Sequence, residues 1–331
     1  MTITSSMKIS KRPAAWTFVS GKVAALESEL LPRPFFESIL KSEDAAEARS
    51  ALGKSSYRAL FPDDRSLAQT SSIMDAKAKE ARGEIFKLCP PHLLENFFGI
   101  GARFRSFRTL FNRMSKQASP QAAELEALFP VFAVDPAFAE RMAEHRQMLG
   151  RKNPPQAATP MERSLYLDSA ACTLMRIVAE AAPERLVRQY MADRAVLTAW
   201  SGIFRARWNG VAPEMIRSWF IFDEGSEFAT AILAAEADPK AVVGGKLSVA
   251  SASALEAIDL ARIKADIDSA ASDALRETVL SCRRTPFGAE RALSYLVALE
   301  AELVNLELCL AAVANGIDRA TTASRLRREY A

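Results

Sequence analysis

Two carboxylates, Glu300 and Glu307, stand seven residues apart at the edge of one apolar run, with Glu302 on another flank. Paired carboxylates on a helix can act as general acid and base, or hold two metal ions inside a bundle. A di-iron bundle also needs Glu-x-x-His motifs, and the only histidines, His92 and His145, lie far from this run. Structural ion pairs with arginines of neighbouring helices are the expected role of these carboxylates.

The other candidates for chemistry fail on spacing. A Ser-His-Asp triad has only the same two histidines to draw on. Cys89, Cys172, Cys282 and Cys309 form no CxxC pair and cannot easily make a zinc site, so buried reduced thiols are expected. Gly244-Gly245-Lys246-Leu247-Ser248 resembles a phosphate loop, but Lys240 occupies the first Gly position and Leu247 the Ser/Thr position. Asp63-Asp64 lacks the third Asp of a metal-diphosphate helix, and Pro62 makes it a turn or N-cap. No catalytic residue, cofactor or metal ligand is assigned.

One stretch interleaves bases and aromatics: Arg103, Arg105, Arg108, Arg113 and Lys116 with Phe104, Phe107 and Phe111. Nucleic-acid binding is the sharp reading of such a pattern. Phe104, Phe107, Phe111 and Met114, however, share one helical face, so the rings are expected in a core beneath a basic, solvated face. A net charge of only +3 is also too small for a protein that coats nucleic acid.

The elements that carry these residues are helices. Thirteen glycines and 16 prolines in 331 residues is a low level of helix breakers, and the breakers fall between apolar-periodic runs. Helices are expected over 14–31, from Phe35 to Leu40, 45–52, 92–116, 184–208, 213–220, 289–314 and 318–326. The fold class is all-α. In the last long run, Leu296, Leu299, Leu303, Leu306, Leu310 and Val313 step by three and four. Ala298, Ala301, Cys309 and Ala312 line the opposite side, so this helix is expected to be buried centrally. Met1 to Arg12 is polar and no window approaches 18 uninterrupted apolar residues, so an intracellular protein with no membrane span is expected.

The sequence also repeats. Gln189-Tyr190 leads through a long apolar run into Arg205-Ala206-Arg207-Trp208-Asn209-Gly210 and then a short helix. Ser294-Tyr295 leads through another into Asn315-Gly316-Ile317 and a short helix, 106 residues later. A weaker third copy covers Glu95 to Lys116. Three pseudo-repeated helical modules are expected, at about 1–118, 119–225 and 226–331, with terminal helices that can pack together.

Phe287-Gly288-Ala289-Glu290, Tyr295-Leu296, Leu299-Glu300-Ala301-Glu302-Leu303, Asn305-Leu306 and Asn315-Gly316-Ile317 together resemble a family signature. It is the C-terminal signature of the V-type and A-type ATPase C-subunit family, whose eukaryotic counterpart is the d-subunit. That signature runs Tyr-Leu-x-x-Lys-Glu-x-Glu-x-x-Asn-Leu, then Leu-Asn-Gly; Leu299 replaces the Lys. Phe18 to Glu27, Leu30-Leu31, Phe36 and Leu40 through Leu52 to Tyr57 are similar to the family's opening, with Gly21-Lys22 in place of Ala-Arg. Arg205-Ala206-Arg207 is similar to its middle copy, whereas Ala199-Trp200 and Arg103 to Arg108 depart from it. The chain is identified as a divergent bacterial member.

The resemblance implies a funnel or socket of three helical modules on the cytoplasmic face of a membrane. It implies one copy per complex, receiving the central shaft and docking on the proteolipid ring. The role would be to pass torque between the ATP-hydrolysing or ATP-synthesising head and the ring that moves protons or sodium ions. It also implies no active site, with Tyr295, Glu300, Glu302, Asn305, Asn315 and Gly316 as structural motif residues. Arg103, Arg105, Arg108, Arg205 and Arg207 are candidates for partner contact. Two alternatives stay open: a helical-repeat scaffold binding protein or RNA, and a helical enzyme using buried carboxylates or Cys172.

Overall fold

The structure is a computed structural model, and it describes residues 13–61, 70–89, 93–101, 104, 159–220, 225–234 and 239–328. Among these, every regular element is helical and there is no strand. The all-α expectation holds. The helices are α1 (Pro13–Glu27), α2 (Arg33–Lys41), α3 (Ala45–Leu52), α4 (Thr70–Leu88), α5 (Pro160–Ala181), α6 (Arg185–Trp208) and α7 (Pro213–Trp219). They continue with α8 (Gly225–Ala234), α9 (Pro239–Gly244), α10 (Val249–Glu256), α11 (Leu260–Ala265), α12 (Ile267–Ala274), α13 (Arg276–Arg284), α14 (Ala289–Asn315) and α15 (Arg319–Arg325). No described helix is long and apolar enough to cross a membrane.

The helix boundaries follow local chemistry. Asp44 caps α3 by accepting from the amides of Ala46 and Glu47 at 2.8 and 2.9 Å. Ser248, Asp259, Asp266 and Asp318 cap α10, α11, α12 and α15 in the same manner. Helix α5 is absent from the sequence expectations, although Thr159-Pro160-Met161-Glu162 spells its start. Thr159 and Glu162 form a reciprocal capping box, with Pro160 at the first helical position. The first helix ends at Glu27, four residues before the expected Leu31, because the chain turns there to bring Leu31 to a tertiary partner described below.

The chain folds as two compact units, Met1–His92 with Ser281–Ala331, and Leu93–Leu280. In the first unit α14 is the axis: α1, α2, α3, α4 and α15 all pack on it. Leu293, Leu296, Leu306 and Leu310 are fully buried, and Leu299 and Leu303 nearly so. Each such leucine contributes roughly 1.5–3 kcal/mol relative to exposure. Ala301, Cys309 and Ala312 are buried too, so both sides of the helix face protein, as the small-residue side predicts. Val313, at the end of the seam, is only half-buried.

In the second unit α5 and α6, joined by three residues, pack along each other as a helical hairpin. Trp200 is fully buried on α6 and meets Phe204 edge-on, with ring centroids 5.7 Å apart. Gly202 lies against Asp168 of α5, where a Cβ would be 3.6 Å from that side chain.

Both Asn-Gly helix ends have the geometry expected of them. Gly210 and Gly316 are left-handed at φ 77° and 63°. In each case the next residue closes the helix: Val211 N–H donates to Ala206 O at 3.0 Å, and Ile317 N–H to Ala312 O at 2.9 Å. The asparagines also match, with Asn209 donating to Arg205 O at 2.7 Å and Asn315 to Ala311 O at 2.8 Å. A seven-residue helix follows each end, starting three residues after the glycine.

Candidate functional site

Three motif residues of α14, Glu300, Glu302 and Asn305, fasten other segments of the unit to it. Glu300 pairs with Arg82 of α4 at 2.9 Å, with side chains 15% and 10% exposed. This is the arginine pairing expected from sequence. Glu302, 6% exposed, is held differently. One carboxylate oxygen accepts from the Leu31 amide and the other from the Tyr57 hydroxyl, both at 2.5 Å. Asn305 is paired with the backbone beyond α15: its Oδ1 accepts from Arg327 N–H at 2.7 Å and its Nδ2 donates to Arg327 O at 3.0 Å. Asn315 and Gly316 close the helix. Tyr295 is buried against the same cluster, 4% exposed.

Electrostatics separate these carboxylates. Burial pushes the Glu302 carboxyl up to about 7, against the opposing pull of the Tyr57 and Leu31 bonds and of Lys77. Burial first, and then the nearby Glu302 charge, raise the Tyr57 and Tyr295 phenols beyond their ordinary range. A third carboxylate, Glu27 at the end of α1, pairs with Arg291 and, at 3.8 Å, with Arg283. Burial raises Glu27 above the usual carboxylate range even so, with the arginines opposing.

In the second unit Arg205 pairs with Asp268 at 2.5 Å and Asp168 at 3.3 Å, and Arg207 donates to Leu233 O at 3.2 Å. Both candidate contact residues therefore bond within the unit. Arg103, Arg105 and Arg108 lie outside the described residues; Phe104, from the same stretch, is buried at 3% exposure. The loop that resembles a phosphate site has another use. Ser248 caps α10 while its amide and hydroxyl both donate to buried Asp193, at 2.9 and 2.5 Å, and Ser251 adds a third bond at 2.6 Å. Asp63-Asp64, His92 and His145 lie outside the described residues.

Burial favours the neutral form of Cys172, Cys282 and Cys309. Burial raises Cys172 well above its ordinary value, with the Asp168 charge adding, and burial pushes Cys309 up to about 12. A neutral buried thiol is a poor nucleophile. Cys309 instead lies 3.7 Å from the Phe36 carbonyl as a weak donor. Cys172, Cys282 and Cys309 are buried and Cys89 half-buried, all four reduced. Among the described residues no group of three His, Cys, Asp or Glu is arranged to hold a metal ion.

Several partners carry no signal in the sequence. Arg82 shows nothing local, because its partner is 218 residues away. Glu27 and Tyr57 belong to the opening stretch that is similar to the family's, yet nothing in their spacing points to Arg291 or Glu302. Asp193 is an acidic residue inside an apolar helix, a signal that a buried polar partner awaits it.

A search of curated proteins returns no match to this chain. A family model described as ATP synthase (C/AC39) subunit matches residues 19–325.

Proposed function

The chain belongs to the ATP synthase (C/AC39) subunit family, and from that premise we propose that it is the non-catalytic central-stalk subunit of a V/A-type rotary ATPase. In this reading it couples the rotating shaft of the head to the membrane proteolipid ring, one copy per complex, on the inner face of the membrane. The family match over residues 19–325 is the observation that carries the proposal.

The construction of the first unit supports a mechanical role. Torque passes through a body without loss only when its parts do not slide on one another. A close-packed helical core resists such shear, and a directional hydrogen bond fixes register where apolar contact alone does not. Here α14 has both: a buried leucine seam, and polar ties at Glu300, Glu302 and Asn305 to four other segments. The matched ends of α6 and α14 support the three-module arrangement at about 1–118, 119–225 and 226–331. We assign partner contact to the basic stretch carrying Arg103, Arg105 and Arg108, with Arg205 and Arg207 beside it in role.

The test is a pull-down of the full chain from gently solubilised native membranes, with co-purifying chains identified by mass spectrometry. Recovery of head subunits, shaft and proteolipid ring is the expected result. A clean monomer free of all three overturns the stalk reading and favours a helical scaffold.

A further inference from the structure

Among the described residues of the first unit, Glu302 is the buried carboxylate of α14, and it has no ion pair with arginine, unlike the half-buried Glu300 and Glu27. Glu300 has Arg82, and Glu27 has Arg291 and Arg283. Glu302 has two neutral donors, the Leu31 amide and the Tyr57 hydroxyl. Those donors come from different places: Leu31 from the link between α1 and α2, and Tyr57 from the turn after α3. One buried side chain thus holds both segments to the axis of the unit.

The surroundings offer the Glu302 charge little compensation. From α4, Lys77 attracts it, but that half-buried ammonium is shared with Glu80, 3.8 Å away. Arg82 on the same helix is engaged by Glu300. Tyr295 on α14 adds a phenol on which Glu302, Glu29, Glu84 and Glu27 all act as like charges. The buried faces of α2, α3 and α15 bring Phe36, Ile39, Leu40, Ala48, Leu52 and Thr322, none of them charged.

We propose that Glu302 is a proton-responsive clasp, which grips the Leu31 link and the Tyr57 turn when protonated and loosens them when ionised. Both bonds survive protonation, and only the Tyr57 bond changes direction. The proton on one oxygen is donated to the Tyr57 hydroxyl, which rotates to accept it, while the other oxygen still accepts from Leu31. Ionisation leaves a buried charge with two hydrogen bonds and no arginine beside it, and opening the clasp to water relieves that cost. Burial pushes the carboxyl up to about 7, so the two states exchange around neutral pH. This inference is independent of the stalk reading, since it concerns one unit of the chain alone.

Hydrogen–deuterium exchange on the full chain tests it, following peptides across residues 28–60 from pH 5 to 8 after correction for the intrinsic exchange rate. Protection is expected to fall roughly tenfold per pH unit up to about pH 7 and to level off above it. In Glu302→Gln, which keeps the shape and both bonds without a titration, protection is expected to be level throughout. A level profile in the native chain, or the same slope in Glu302→Gln, overturns the proposal. Should Glu302→Gln fail to fold, Tyr57→Phe gives the answer. The Tyr57 bond favours the ionised carboxylate, so its loss moves the levelling point to higher pH, and an unmoved point overturns the proposal.

Discussion

Helices α6 and α14 end alike and are built differently before that end. Each closes through an Asn side chain to the carbonyl four residues back and a left-handed glycine, with a seven-residue helix next. With the two ends in register, Trp200 corresponds to Leu306, and both are fully buried. The bodies diverge in their partners. α6 lies chiefly along one long neighbour, α5, whereas α14 is wrapped by five helices. α6 carries Asp193, which takes three bonds from serines within one turn of α10, and Arg205, half-exposed between two aspartates. α14 carries acidic groups that reach segments hundreds of residues away in sequence. Local signals such as caps repeat easily, while the polar ties follow whatever surrounds each helix.

The comparison is tested most severely at its shared core position. Leu306→Ala is expected to destabilise the chain by about 2–5 kcal/mol and Trp200→Ala by about 3–5 kcal/mol, read from denaturant unfolding. A loss below about 1 kcal/mol at either site breaks the equivalence of the two helices. The ion pairs sharpen the difference between them. Arg82→Ala removes the guanidinium paired with half-buried Glu300 and is expected to cost about 3 kcal/mol. Asp268→Ala removes a pair whose aspartate is 53% exposed, and less than about 1 kcal/mol is expected.

The pH dependence reads out the carboxylates that burial raises, Glu302 above all. A carboxyl whose folded value is raised binds its proton more tightly folded than unfolded. Its contribution is therefore complete below 4.5 and disappears as the pH rises to about 7, for a loss of roughly 3 kcal/mol. Glu27 acts in the same direction. The difference between native chain and Glu302→Gln in unfolding curves from pH 4 to 8 isolates the Glu302 part. Equal pH slopes in the two proteins would contradict the assignment. The smallest effect concerns the shared ends. Gly210→Ala and Gly316→Ala, both at positive φ with open space around the added Cβ, are each expected to cost about 1 kcal/mol. Unequal losses in thermal unfolding would show that the two ends, alike in geometry, differ in strain.

Much of this is legible in the chain itself. The scarcity of breakers gives an all-α fold; the Leu steps give the buried axis; Asn209-Gly210 and Asn315-Gly316 give left-handed caps. Each is a local rule, resolved within one or two helical turns. The resemblance across both ends and the middle points to the family whose model matches residues 19–325. Helix α5 escapes the sequence expectations although Thr159 and Glu162 spell its cap, a signal present and unread.

What the sequence does not supply is the identity of partners. Glu300 and Glu302 are two positions apart on an apolar helix and look alike there, yet one meets a guanidinium and the other a phenol and an amide. Two residues on a helix project about 200° apart, so neighbours in sequence face different helices. The early end of α1 at Glu27 belongs to the same class, because the turn that replaces its last residues is what delivers Leu31 to Glu302. Secondary structure and the buried stripe were decided by short-range periodicity and capping. The raised titration of Glu302 and Glu27 was decided by packing, because desolvation and partner geometry exist only once distant segments close around them.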